Sequence, residues 1–175
     1  MKAKKTLFTA AILLFLSIMP LSAASKVSDQ RQSFIDYALK YRGVPYVFGG
    51  ISPKGFDCSG FIYYVASTYM AKQLPRTAQA MYDSVELVTP KEREPGDLVF
   101  FRTTGTSKIS HVGIYLGIYR GNGKFNGKRI FIHAASDGPN TGVIISALDE
   151  AFWKNHYAGS GRFLPTTKEY KAGIK

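Results

Sequence analysis

The sequence predicts an α+β fold, helices first and an antiparallel sheet after them, on three observations. In the first half of the chain, apolar residues recur at helical spacing, at Phe34, Ile35, Ala38 and Leu39 and again at Phe61, Tyr64, Val65 and Thr68. In the second half, short apolar runs follow one another, separated by glycine, proline and asparagine turn signals. The chain has 175 residues, enough for one domain with a full core and hardly for two, and it shows no internal repeat or linker. A hydrophobic content of 45% with 20% charged residues is ordinary for a folded chain, and 11 Tyr and 12 Phe exclude disorder away from the ends.

Taken in order, residues 1–24 read as a secretory signal. Lys2, Lys4 and Lys5 form its positive start, Leu7 to Leu21 its apolar core, and Ser22, Ala23 and Ala24 a cleavage site. The apolar run falls short of the ~20 residues that span a bilayer, so no integral membrane segment is expected after signal removal. No cysteine lies near position 24, which excludes lipid attachment there. The expected product is exported and soluble, periplasmic or secreted, and not a lipoprotein. Its folded domain would cover residues 25–164, with a loose polar tail at 165–175.

The first mature helix is expected from Ser25 to Arg42, with Ser28 as N-cap and Gly43 just past its end. Tyr46 to Gly50 reads as extended, and residues 61–70 as a buried helix. A short helix follows at Ala78 to Tyr82. Strands are expected at Leu98–Phe101, His111–Tyr119, Ile130–Ala134, Gly142–Ser146 and about Ala158–Leu164, with a short helix near Glu150–Asn155. In the His111 strand, Val112, Ile114, Leu116 and Ile118 share one face. His111, Gly113, Tyr115, Gly117 and Tyr119 share the other, where the glycines leave room for a close approach.

The formal charge is +11, falling by the three signal lysines to +8. A basic exported protein suits anionic partners such as cell-wall polymers. Nucleic acid is excluded by the export signal and by scattered charges that form no arginine-rich helix. Cys58 is the sole cysteine, so no internal disulfide is available to it in an oxidising compartment.

That cysteine sits where a thiol can react. Asp57 occupies an N-cap position, which puts Cys58 in the first helical turn, where free amides and the helix dipole are expected to lower a thiol pKa. A cysteine nucleophile needs a base and a group to orient it. Of the three histidines, His111 opens a strand and His133 lies inside the next. If the two strands pair, His111 is placed to act as base and His133 to orient it. His156 lies in a polar segment and receives no role. Other readings stand beside these. Asp57 is equally a plain helix cap, Tyr46 packs into a core, Arg76 forms a surface or structural ion pair, and His133 is a satisfied core histidine. Trp153 and the Tyr63-Tyr64 pair read as core, and Arg120–Lys128 as a solvated hairpin.

Six motifs occur in one order: Tyr46-x-Phe48-Gly49-Gly50, Asp57-Cys58-Ser59-Gly60-Phe61, Leu74-Pro75-Arg76, Pro95-Gly96-Asp97-Leu98-Val99-Phe100-Phe101, His111-Val112-Gly113-Ile114-Tyr115 and Ile132-His133-Ala134. In them the chain, over roughly residues 30–164, resembles the NlpC family (the NlpC/p-sixty group) of papain-like cell-wall cysteine endopeptidases. The resemblance implies a papain-like fold, N-terminal helices including a nucleophile helix packed on a central antiparallel sheet. It implies catalytic roles for Cys58, His111 and His133, with Tyr46 near the reaction centre. Asp57 and Ser59 become candidates for holding the substrate, and Arg76 joins them from its motif.

The implied activity is hydrolysis of peptidoglycan stem peptides or muropeptides at the bond from the γ-carboxyl of D-glutamate to a diamino acid such as meso-diaminopimelate, with no cofactor and no metal. Rival readings are an amidase or acyltransferase with the same Cys-His pair, a non-catalytic wall-binding protein, and a zinc site formed by Cys58, His111 and His133. One departure stands out. The Arg120–Lys128 connection is longer than a tight family hairpin, an extension that would shift His133 or overhang the cleft.

Overall fold

The computed structural model describes residues 21–138 and 140–166. Most of the expected signal, residues 1–20, and most of the expected tail, 167–175, lie outside the described residues. The first helix, α1, spans Leu21–Leu39. It therefore runs through Ser28 instead of starting there, because Leu21 to Ser25 are residues that propagate a helix without a break. The expected stripe holds, with Phe34, Ile35 and Ala38 buried. The helix closes before Arg42, as Tyr41 and Arg42 make tight bonds to the carbonyls of Ala38 and Leu39. Gly43 then turns with φ at +90° and donates its N–H to Val143.

The segment expected to be a loop before Cys58 contains a small hairpin, β1 (Ile51–Ser52) and β2 (Gly55–Phe56). It leads into the nucleophile helix α2, Cys58–Met70. The buried side of α2 is Phe61, Ile62, Val65 and Ala66, a face rotated from the expected one. Thr68 is exposed and donates to the Tyr64 carbonyl. Gly60 lets the helix start sit on the hairpin, since a Cβ there would fall on the Gly50 carbonyl oxygen. A short helix α3, Ala78–Ser84, follows, capped by Thr77.

The remaining strands are β3 (Glu86–Val88), β4 (Leu98–Phe101), β5 (His111–Ile118), β6 (Arg129–Ala135), β7 (Gly142–Ala147) and β8 (Tyr157–Arg162), with α4 at Ala151–His156. They form one antiparallel sheet in the order β3-β8-β4-β5-β6-β7. The α+β class and the nucleophile helix on a central antiparallel sheet are as the sequence predicts. The short edge strand β3 is an addition.

The sheet has two buried faces. One, with Leu98, Phe100, Val112, Ile114 and Ile132, packs on the helices α1, α2 and α3. The other, with Val99, Phe101, Tyr115 and Phe131, is covered by Trp153 and Tyr157. A bulge between Tyr115 and Gly117 breaks the expected alternation of β5. The Arg120–Lys128 extension joins the far end of β5 from His111, roughly 20 Å along the strand at ~3.3 Å per residue. It neither displaces His133 nor reaches the cleft at the start of β5.

A buried ionic knot ties α1 to β8 and the residues just after it. Asp97 is fully buried and pairs with Arg31 of α1 and with Arg162 of β8 (2.7 Å). Arg31 also donates to the carbonyls of Pro95, Leu164 and Pro165. Order therefore extends past the expected start of the tail, and Thr166 is buried. Removing one partner leaves an uncompensated buried charge. Urea unfolding of Asp97→Ala should show a loss of about 3–5 kcal/mol. The exposed Arg129–Asp149 pair gives the contrast, and Asp149→Ala should cost at most about 1 kcal/mol. Similar losses in the two variants would contradict this ranking.

Candidate active site

Asp57 builds the seat of Cys58. Its backbone is extended, and its carboxylate accepts from the Gly60 N–H at 2.7 Å and from the Gly49 N–H at 3.0 Å. The same two oxygens take both ends of the Arg76 guanidinium, at 3.0 and 2.6 Å. Arg76 also donates to the Ser59 hydroxyl at 2.9 Å. Burial works to raise the Asp57 pKa, but the Arg76 bond, the Gly60 N–H and the Arg76 charge outweigh it and hold the carboxyl below its usual range. Asp57, Ser59 and Arg76, expected as separate substrate contacts, thus form one network beside Cys58.

Cys58 lies at the meeting of α2 with the start of β5. Its Sγ is 3.8 Å from the carbonyl of Ser110, and the N–H of Val112 points at it from the other side of His111. The expectation of a lowered thiol pKa is overturned. Burial and then the Asp57 carboxylate raise it, against the helix-start amides of Ser59 and Cys58 and the Val112 N–H, which act to lower it. The resting sulfur is a thiol.

His111 and His133 lie on the same face of the sheet, as pairing of β5 with β6 requires. His111 Nε2 and His133 Nδ1 are 2.9 Å apart, and His133 Nε2 is 3.0 Å from the Ser146 hydroxyl on β7. This chain fixes the tautomers when His111 is to accept a proton. His111 donates from Nε2 to His133, which donates in turn to Ser146, and Nδ1 of His111 is left as the basic nitrogen. Burial pushes His111 down to about 4, and burial with the neighbouring His111 pushes His133 well below its ordinary value. Both rings are neutral at rest.

Sequence reasoning missed Ser146, which stands opposite Phe131 in the register and so beside His133. Gly113 provides the room expected at its face, since a Cβ there would lie 2.6 Å from the Phe131 ring and 3.1 Å from the His133 Cβ. Tyr46 is half-buried and bridged to Phe56. Burial, then Cys58 and Asp57, raise its pKa, so its hydroxyl keeps its proton beside the sulfur. His156 caps nothing catalytic and bonds the Phe152 carbonyl within α4. Among the described residues no three His, Cys, Asp or Glu side chains converge as metal ligands, and the two histidines spend facing nitrogens on each other.

A thiol at a helix start, set against a histidine that opens a central strand and is bonded to a second on the next, is the arrangement of papain-like thiol hydrolases. The chain belongs to the NlpC/P60 family, whose model matches residues 43–162. Over 130 residues it is 42% identical to the gamma-DL-glutamyl hydrolase of Bacillus subtilis (strain 168), covering 74% of this chain and 28% of that one. Over 145 residues it is 37% identical to the murein DD-endopeptidase MepH of Escherichia coli (strain K12), covering 80% and 48%. The chain thus spans less than half the length of either relative. A crystal structure of a Staphylococcus aureus NLP/P60 family protein, described as similar to lipoprotein, superposes with a TM-score of 0.62 at 36% identity, covering 79% of this chain and 42% of that one.

The neutral histidines make stability depend on pH. In the unfolded chain they take up protons near pH ~6.5, while folded His111 resists protonation down to about 4. Between these values the unfolded state binds more protons, so stability is present above the unfolded pKa and is lost as pH falls toward the folded one. Urea unfolding should show a loss of roughly 2 kcal/mol for His111 alone between pH 7 and pH 5. His111→Gln should lose less over the same step. Equal stability of the wild type at the two pH values would contradict the buried neutral pair.

Proposed function

We propose that the protein is an exported cysteine endopeptidase that hydrolyses peptidoglycan stem peptides, cutting between the γ-carboxyl of D-glutamate and a diamino acid. The observation that carries this reading is the hydrogen-bonded row from His111 through His133 to Ser146, beginning beside Cys58. The 42% identity to a gamma-DL-glutamyl hydrolase supports the bond. Residues 1–24 act as the export signal, and the basic mature chain favours an anionic wall.

In this mechanism Cys58 Sγ attacks the scissile carbonyl as its proton passes to His111 Nδ1. The tetrahedral oxyanion receives the Cys58 backbone N–H, one of the free amides of the helix start, and the Tyr46 hydroxyl. His111 then gives its proton to the departing amine, which leaves a thioester on Cys58. Water, activated by His111, hydrolyses the thioester and restores the thiol. Throughout, His133 and Ser146 hold the ring of His111 with its basic nitrogen toward sulfur. Asp57 is spent on capping and on Arg76, so the substrate meets the outer edge of Arg76, whose side chain is 37% exposed, and the Ser59 side of the network. A second bond is kept open by the 37% identity to a DD-endopeptidase.

Defined muropeptides incubated with wild type and with Cys58→Ala, then weighed by mass spectrometry, test the reading. Cleavage at the γ-D-glutamyl bond by wild type alone is the expected result. Cleavage between two D-centres would move the assignment to the DD bond, and an amide-released sugar or a transferred acyl group would make it an amidase or an acyltransferase. Retention on peptidoglycan with no product from either protein would make it a binding protein.

A further inference from the structure

The sole tryptophan of the chain stands against both histidines. Trp153 projects from α4 onto the sheet face that carries them. Its ring centre lies 5.1 Å from that of His111 with the planes only 30° apart, and 4.7 Å from that of His133, edge to face at 73°. Phe101 and Phe131 fix the indole from below, at 4.9 and 5.2 Å. Trp153 itself is half-buried, so its body closes this face of the histidine pair while its outer edge meets solvent.

Resting on the peptidase reading above, we propose that Trp153 is a positioning residue for the reaction. Its indole holds the His111 ring in the plane that points Nδ1 at Cys58, and offers its π face to the imidazolium formed when the sulfur gives up its proton. Two physical facts support this. A cation over an indole face is attracted by the ring quadrupole, most strongly where water is excluded. His111 and His133 have no carboxylate in their hydrogen-bonded row, which ends on the neutral hydroxyl of Ser146. A positive charge created on His111 therefore finds no anion in that row, and the aromatic face is the group stacked against it. The proton balance is simple: it leaves Sγ, rests on His111 Nδ1 and goes to the leaving amine, with Trp153 taking no part in any bond made or broken.

An aromatic face and a mere space-filler are separable. Iodoacetamide alkylation of Cys58 needs no knowledge of the substrate. Thiolate with imidazolium forms without loss of a proton and gives a pH-independent floor between about pH 5 and 7, whereas the bare thiolate adds a rate that rises about tenfold per pH unit. Trp153→Leu and Trp153→Met, two apolar fillers, should each lower that floor by roughly tenfold, while Trp153→Phe, which keeps an aromatic face, should stay within about threefold of the wild-type floor. Folding of each variant is checked by its urea unfolding midpoint, and the use of two non-aromatic variants guards against the loss of one. If folded Trp153→Leu or Trp153→Met reacts as fast as wild type, or if Trp153→Phe is slowed as much as they are, Trp153 is only packing and the proposal falls. That result would leave the peptidase reading standing. Failure of wild type to cut any muropeptide would remove the peptidase reading, and the alkylation series would still decide the role of Trp153.

Discussion

The site depends on the carboxylate of Asp57 more than on any other group. It caps the nucleophile helix through Gly60, holds the Gly49 backbone against the helix start and binds both ends of Arg76. These bonds decide where Cys58 can stand. They also bring a negative charge next to the sulfur that ionises in the proposed reaction, which opposes that ionisation. Arg76 offsets that penalty by sitting on the same carboxylate, and its own charge is in turn favoured by a Cys58 thiolate. The positioning device and its electrostatic correction are therefore one ion pair.

The histidine row solves a different problem. A base buried on a sheet face stays neutral, which is the form that can accept a proton. Its direction must then be fixed without a counter-charge. The structure does this through register: His133 stands diagonal to His111, Ser146 diagonal to His133, and Gly113 leaves the space that lets the rings approach. The ionic knot at Asp97 lies on other elements, joining α1 through Arg31 and the end of β8 through Arg162 to the start of β4. It fixes β4, the strand paired with the His111 strand, to α1 and β8.

Much of this was legible in the sequence. Phe34, Ile35 and Ala38 announced α1 by spacing, and the runs at Leu98, His111, Ile130 and Gly142 announced the sheet, because a buried strand writes its pattern into consecutive residues. Asp57 before Cys58 located the helix start. The hairpin at Ile51–Ser52 and Gly55–Phe56 was invisible, since two-residue strands carry no period. Ser146 and Trp153 became functional candidates only once register and the packing of α4 were known, for nothing local to either residue marks a neighbour so distant in the chain. The pKa of Cys58 was misread because the helix start is a local feature, whereas burial and the Asp57 carboxylate are set by the folded site.

The central claim is that Cys58 rests as a thiol and becomes a nucleophile only as His111 takes its proton. The pH dependence of Cys58 alkylation by iodoacetamide tests it most directly, since no second thiol competes. The expected profile rises through an apparent pKa above the ~8.5 of a free cysteine, with only slow reaction near neutrality. A rate already at its plateau at pH 6 would mean a standing thiolate–imidazolium pair, and would contradict the claim.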